Sequence, residues 1–118
     1  MLTSSSFVRL FSELRRNISA KFPDDLSAGY VSVTGFFFLR YIVPSILSPP
    51  LFDLDVGVIT DQASRNLKLI SKTLQNLANL VEFGQKEQFM AVMNPFISEY
   101  QGRMKLLIDL LSVTFSQL

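Results

Sequence analysis

From Leu26 to Phe52 the chain carries one charged side chain, Arg40, amid Phe36, Phe37, Phe38, Leu39, Tyr41, Ile42 and Val43. A run of this kind is either the central helix of a folded body or a membrane span, because about 20 apolar residues suffice to cross a bilayer. Pro44, Pro49 and Pro50 interrupt it, and an arginine at the bilayer centre is costly unless paired. Those features favour the folded body. The expected element is a helix from about Leu26 to Val43, apolar all round and buried, which Pro44 kinks or ends. Met1 to Ser6 shows no basic region followed by an apolar run, so no signal peptide is visible and the cytoplasm is the default location.

The rest of the composition narrows the chemistry. Of 118 residues, 48% are hydrophobic and 18% charged, against about 25% charged in a typical soluble domain. Histidine and cysteine are absent, which excludes a Cys/His metal site, a Ser-His-Asp triad and a cysteine nucleophile. A formal net charge of +1 argues against nucleic acid as the main partner, because phosphate binding needs a basic excess. The length allows one domain. So apolar a chain of this size either hides a face against something else or belongs to a larger body.

Helical periodicity dominates. Phe7, Leu10, Phe11, Leu14 and Ile18 share one face of a first helix, with Ser4, Ser5 and Ser6 as cap candidates and Pro23-Asp24-Asp25 as its end. After a loop from Leu51 to Ile59, Thr60 or Asp61 can cap a helix reaching about Phe83, with Gly84 as its C′ residue. Its apolar face is Leu67, Ile70, Leu74, Leu77 and Val81, widened by Leu69 and Leu80. Opposite runs a polar stripe of Lys68, Lys72, Gln75, Asn79 and Glu82 within roughly 80° of arc. A short segment from Lys86 to Val92 precedes Asn94-Pro95. A last helix, about Glu99 to Phe115, should bury Met104, Leu107, Ile108, Leu111 and Phe115.

Arg40 is the sharpest anomaly. On a buried helix its guanidinium must find partners, either as a structural tie or as a group that holds a loop or anion at a site. The polar stripe reads first as a solvated face. Asn76 and Asn79 are nevertheless poor interior helix formers, and Gln75 and Asn79 can present their amides together. Lys86 and Glu87 read first as solubility charges. Asp24-Asp25 and Asp53-x-Asp55 lack calcium-loop spacing and read as caps or solvated charges. No Gly-rich phosphate cradle is present.

Gly35-Phe36-Phe37-Phe38-Leu39-Arg40 followed by Pro44-Ser45-Ile46-Leu47-Ser48-Pro49 resembles the signature of the Ras GTPase-activating protein (RasGAP) domain family. That signature runs Phe-Leu-Arg, a three-residue spacer, Pro-Ala-Ile-Leu, one further residue and Pro. Gln75-Asn76-Leu77-Ala78-Asn79-Leu80-Val81-Glu82-Phe83-Gly84, then Lys86-Glu87, resembles the family's second block, and Asn94-Pro95-Phe96 the segment after it. The match runs from about Phe7 to Leu111. Ser45 departs from the usual Ala.

The resemblance implies an all-α, multi-helix portion of a RasGAP domain around a central buried Phe-rich helix. Residues 1–118 would be the C-terminal part of that domain, with the half bearing the arginine finger upstream. Arg40 would support the finger loop by bonding to its backbone. Leu39, Lys72, Gln75, Asn79, Lys86 and Glu87 would line the groove that receives the switch regions of a GTP-bound Ras-type GTPase. Arg65 would be structural. The implied role is activation of the partner's GTP hydrolysis, with no cofactor or metal of the chain's own. The implied setting is the cytoplasm, with recruitment to the inner face of the plasma membrane. None of Arg9, Arg15, Arg16, Arg65 and Arg103 matches the finger motif, so the chain alone is expected to be inactive. The alternative is a non-catalytic helical module that binds a small GTPase or another protein. A membrane-surface domain would need a more basic amphipathic helix than Arg9, Arg15 and Arg16 provide.

Overall fold

The computed structural model describes residues 4–112, with side chains from Ser6 onward. Among these residues there are helices and no strands. They are α1 (Ser4–Lys21), α2 (Ala28–Phe37), a π turn (Phe38–Ile42), α3 (Val43–Leu47), a 3-10 turn (Pro49–Phe52), α4 (Asp61–Ala78), a 3-10 segment (Gln85–Met93) and α5 (Asn94–Ser112). α2 is central, with α1, α4 and α5 all packed against it. The all-α expectation with a Phe-rich central helix therefore describes the fold.

Phe11, fully enclosed on α1, sits edge-on to Phe36 and Phe37 at ring separations of 5.9 and 5.8 Å. Val33, Leu77, Ile97, Met104 and Ile108 complete the core. Arg15 joins three helices at one point. Its guanidinium pairs with Asp109 of α5 at 2.6 Å, donates to Ser112 at 3.0 Å and lies 4.2 Å from the centre of the Tyr30 ring of α2. Gly29 permits that junction, since a Cβ there would lie 2.4 Å from Ser19 Oγ and 3.2 Å from Arg15 Cγ.

The body is a slab of 46 × 38 × 21 Å. Its thickness is that of two helix layers at about 10 Å each. The radius of gyration, 16.0 Å, exceeds the roughly 13.5 Å of a compact domain of this length. A thin body has little interior. That is why Leu26, Leu51, Val58 and Val92 stand at 90, 81, 95 and 76% exposure.

Four expectations are corrected. The apolar helix does not stop near Val43 but continues through Pro44 to Leu47. Pro44 has no N–H for the carbonyl of Arg40, and the turn just before it widens to π geometry, with the Val43 N–H bonding Phe38 O. Nor is this helix buried all round. Val33, Thr34, Phe38 and Val43 point inward, whereas Leu39, Arg40, Tyr41 and Leu47 are exposed. Ala28–Leu47 is long and apolar enough to cross a membrane by length and composition alone, yet here it is the element the other helices pack around.

The third correction concerns α4. Thr60 does cap it, accepting from Ala63 N at 3.1 Å, but it ends at Ala78 and not near Phe83. Leu80, not Gly84, takes the left-handed C′ position at φ 58°. Leu80 N bonds Leu77 O and Val81 N bonds Asn76 O, both at 3.0 Å, the pattern of a Schellman cap. Of its predicted apolar face, Leu69, Ile70 and Val81 are largely exposed. The fourth is α5, which begins at Asn94 and buries Ile97, Met104 and Ile108 but leaves Leu107 39% exposed. Phe115 lies outside the described residues.

Ser71 of α4 is 3% exposed, and its hydroxyl has no partner among the described residues. A buried unpaired hydroxyl costs about 1–3 kcal/mol, and Ala is the better helix former. Ser71→Ala is therefore expected to raise stability by about 0.5–2 kcal/mol. Urea denaturation checks this; a fall in the midpoint would contradict it.

Candidate docking site

The Phe-Leu-Arg turn and the polar stripe are far apart in sequence but belong to packed elements: the π turn and α3 both lie against α4. The π turn carries Leu39, 53% exposed, and Arg40 outward. The expectation of a buried Arg40 is thus overturned, because the extra residue in a π turn rotates the following side chains relative to a plain α face. Among the described residues the Arg40 side chain has no ion pair or hydrogen bond, which leaves its donors available.

On α4, Lys68 and Lys72 are exposed and Gln75 is half-buried, as is Asn79 at its C-cap. Lys72 Nζ pairs with Glu87 Oε1 at 2.5 Å, with side-chain exposures of 47 and 35%. The same ammonium lies 5.6 Å from the centre of the Phe89 ring. Two sequence candidates fifteen positions apart are therefore in direct contact, a link that neither helical spacing nor composition reveals. Lys86 is exposed beside them, and Glu87 N bonds Gly84 O at 3.1 Å. At Glu87 the 3-10 segment breaks, with φ −132° and ψ 50°.

The turn from Asn79 to Gly84 connects the stripe to this pair, and it is fixed from α5. Asn94 accepts from Phe83 N at 2.7 Å and donates to Phe83 O at 3.0 Å, while Ser98 donates to Glu82. In the sequence, Asn94-Pro95-Phe96 stands out only as a segment that matches the family. Its one local signal was an Asn placed before a Pro at a helix start.

Next to the pair, Leu69, Ile70 and Leu74 of α4 face Phe89, Val92 and Phe96 across an apolar groove of about 400 Å³. Two of the carboxylates read as caps or solvated charges instead close Asx turns in the loops before α2 and α4, and neither caps a helix. Asp25 accepts from Ser27 N and Oγ, and Asp55 accepts from Gly57 N.

An exposed arginine turn, a polar stripe and a charged pair thus share one helical slab. The sequence model of the RasGAP family, described as GTPase-activator protein for Ras-like GTPase, matches residues 9–79. The chain belongs to this family. It is 44% identical over 104 residues to the probable Ras GTPase-activating-like protein ngap of Dictyostelium discoideum, covering 87% of this chain and 12% of that protein. Against human Ras GTPase-activating protein 1 it is 40% identical over 100 residues, 85% of this chain and 10% of the relative. Against mouse Ras GTPase-activating protein 3 it is 41% identical over 108 residues, 87% and 13% respectively. The chain thus spans only about a tenth of the length of these relatives.

Proposed function

We propose that this chain docks on the switch regions of a GTP-bound Ras-type GTPase and, within a larger protein, helps stimulate GTP hydrolysis. The chain would be the C-terminal part of a RasGAP domain. It would act in the cytoplasm, recruited to the inner face of the plasma membrane where its partner resides. One observation carries the reading. In a chain of this family, the Phe-Leu-Arg turn presents an unpaired guanidinium on an element packed against the helix that bears Lys72, Gln75 and Asn79.

In this reading each group has a task. Arg40, exposed and unengaged, bonds the backbone of the loop that carries the catalytic arginine. Leu39 supplies apolar contact beside it. Gln75 and Asn79 offer amides, and Lys86 with the Lys72–Glu87 pair offers charge of both signs, which steers and registers a charged partner surface. Nucleotide and Mg²⁺ belong to the GTPase, so the chain is an activator rather than an enzyme and brings no cofactor. The gain comes from fixing the partner's water and phosphates in place and stabilising transition-state charge.

Lys86→Ala is expected to weaken binding to a GTPase loaded with a non-hydrolysable GTP analogue about fivefold to tenfold, the loss of one favourable interfacial charge. In a complete domain it should affect binding more than the maximal rate. Calorimetric titration together with single-turnover kinetics measures both, and a pure rate effect would count against docking.

A further inference from the structure

We infer that Asn94 is a positioning residue: its side-chain clamp on Phe83 sets where Lys86 and Glu87 stand relative to the α4 stripe. The inference rests on the docking reading above and adds to it a residue that touches no partner. Asn94 is the first residue of α5, while the groups it would place lie on the far side of a turn. Its amide meets both backbone polar groups of Phe83, at 2.7 and 3.0 Å, as an opposing strand would. Phe83 is 5% exposed, so neither of those groups has ready recourse to water.

The clamp acts at a point where the chain needs holding. Just past the end of α4, Leu80 is left-handed, a conformation that costs a non-glycine residue about 1–2 kcal/mol. Gly84 follows in extended geometry, and Glu87 breaks the helical path again. Between these irregular points the bonds from Asn94 to Phe83, and from Ser98 to Glu82, tie the turn to α5. α5 is in turn anchored in the core through Ile97, Met104 and Ile108. The Lys72–Glu87 pair spans from the stripe to the segment beyond the turn. A surface pair of this exposure cannot hold that segment by itself. The clamp supplies the fixed frame in which pair and lysine sit.

Hydrogen exchange and binding test this on the full 118-residue chain. Asn94→Ala is expected to speed amide exchange at Phe83 and Glu87 at least tenfold, with Phe11 and Ile108 unchanged. Asn94→Asp keeps the acceptor for Phe83 N–H but loses the donor, so it should fall between the two. Acceleration spread evenly over the chain, or none at Glu87, would overturn the positioning role. With a GTPase carrying a non-hydrolysable GTP analogue, Asn94→Ala should weaken binding about tenfold. The Asn94→Ala/Lys86→Ala double variant should bind no more than about twofold weaker than the weaker single variant. Full additivity would overturn the inference. If the unaltered chain fails to bind, the docking reading falls, and exchange at Glu87 still decides whether Asn94 holds the segment.

Discussion

Phe11→Ala is expected to destabilise the chain by about 3–5 kcal/mol, the usual cost of emptying an aromatic site in a core. Phe11 is 2% exposed, and its ring meets Phe36 and Phe37 edge-on, with Phe7 tilted at 6.3 Å. Aromatic contacts of this kind add about 0.5–1.5 kcal/mol beyond area burial. In a slab only 21 Å thick there is little surrounding mass to collapse into the gap. Total stability of a small domain is about 5–15 kcal/mol, so this one change removes a large share of it. Thermal and denaturant unfolding measure the loss. A cost below about 1 kcal/mol would mean that α1 is not docked on α2 as described.

This same aromatic contact shows what the sequence reveals well. Phe7, Leu10, Phe11 and Leu14 announce α1 by their spacing, and Thr60 announces the start of α4 by its chemistry, since both signals are local. Where the sequence misled, the cause is non-local. Gly84 reads as the end of α4, yet tertiary packing makes Leu80 take the left-handed turn, and the helix ends at Ala78, five residues short of the expected Phe83. Arg40 reads as buried because its neighbours are apolar, but the widened turn ahead of Pro44 aims it outward. Ile70 and Val81 read as core because they lie on the apolar face, but among the described residues nothing covers them fully. The candidate site divides in the same way. Its residues were legible through the family motifs, whereas the Lys72–Glu87 pair and the Asn94 clamp depend on how segments fold back on each other.

The largest functional effect expected is one of absence. Ras GTPases with their activators are the well-known worked case of arginine-finger catalysis, where the complete activator accelerates hydrolysis about 10⁵-fold. A finger must stand on an exposed loop to reach phosphates held by another protein. Every arginine of this chain is in a helical element: Arg9, Arg15 and Arg16 in α1, Arg40 in the π turn, Arg65 in α4 and Arg103 in α5. Arg15 is further committed to Asp109, Ser112 and Tyr30. The chain should thus grip the switch regions without supplying the charge that lowers the barrier. Grip without chemistry makes a competitor. Single-turnover GTP hydrolysis by a Ras-type GTPase tests both halves together, with the chain alone and with excess chain added to a complete activator. The expected result is a rate within tenfold of the intrinsic one in the first case and a slowed stimulated rate in the second. Acceleration of tenfold or more by the chain alone, or a stimulated rate indifferent to saturating chain, would contradict the account.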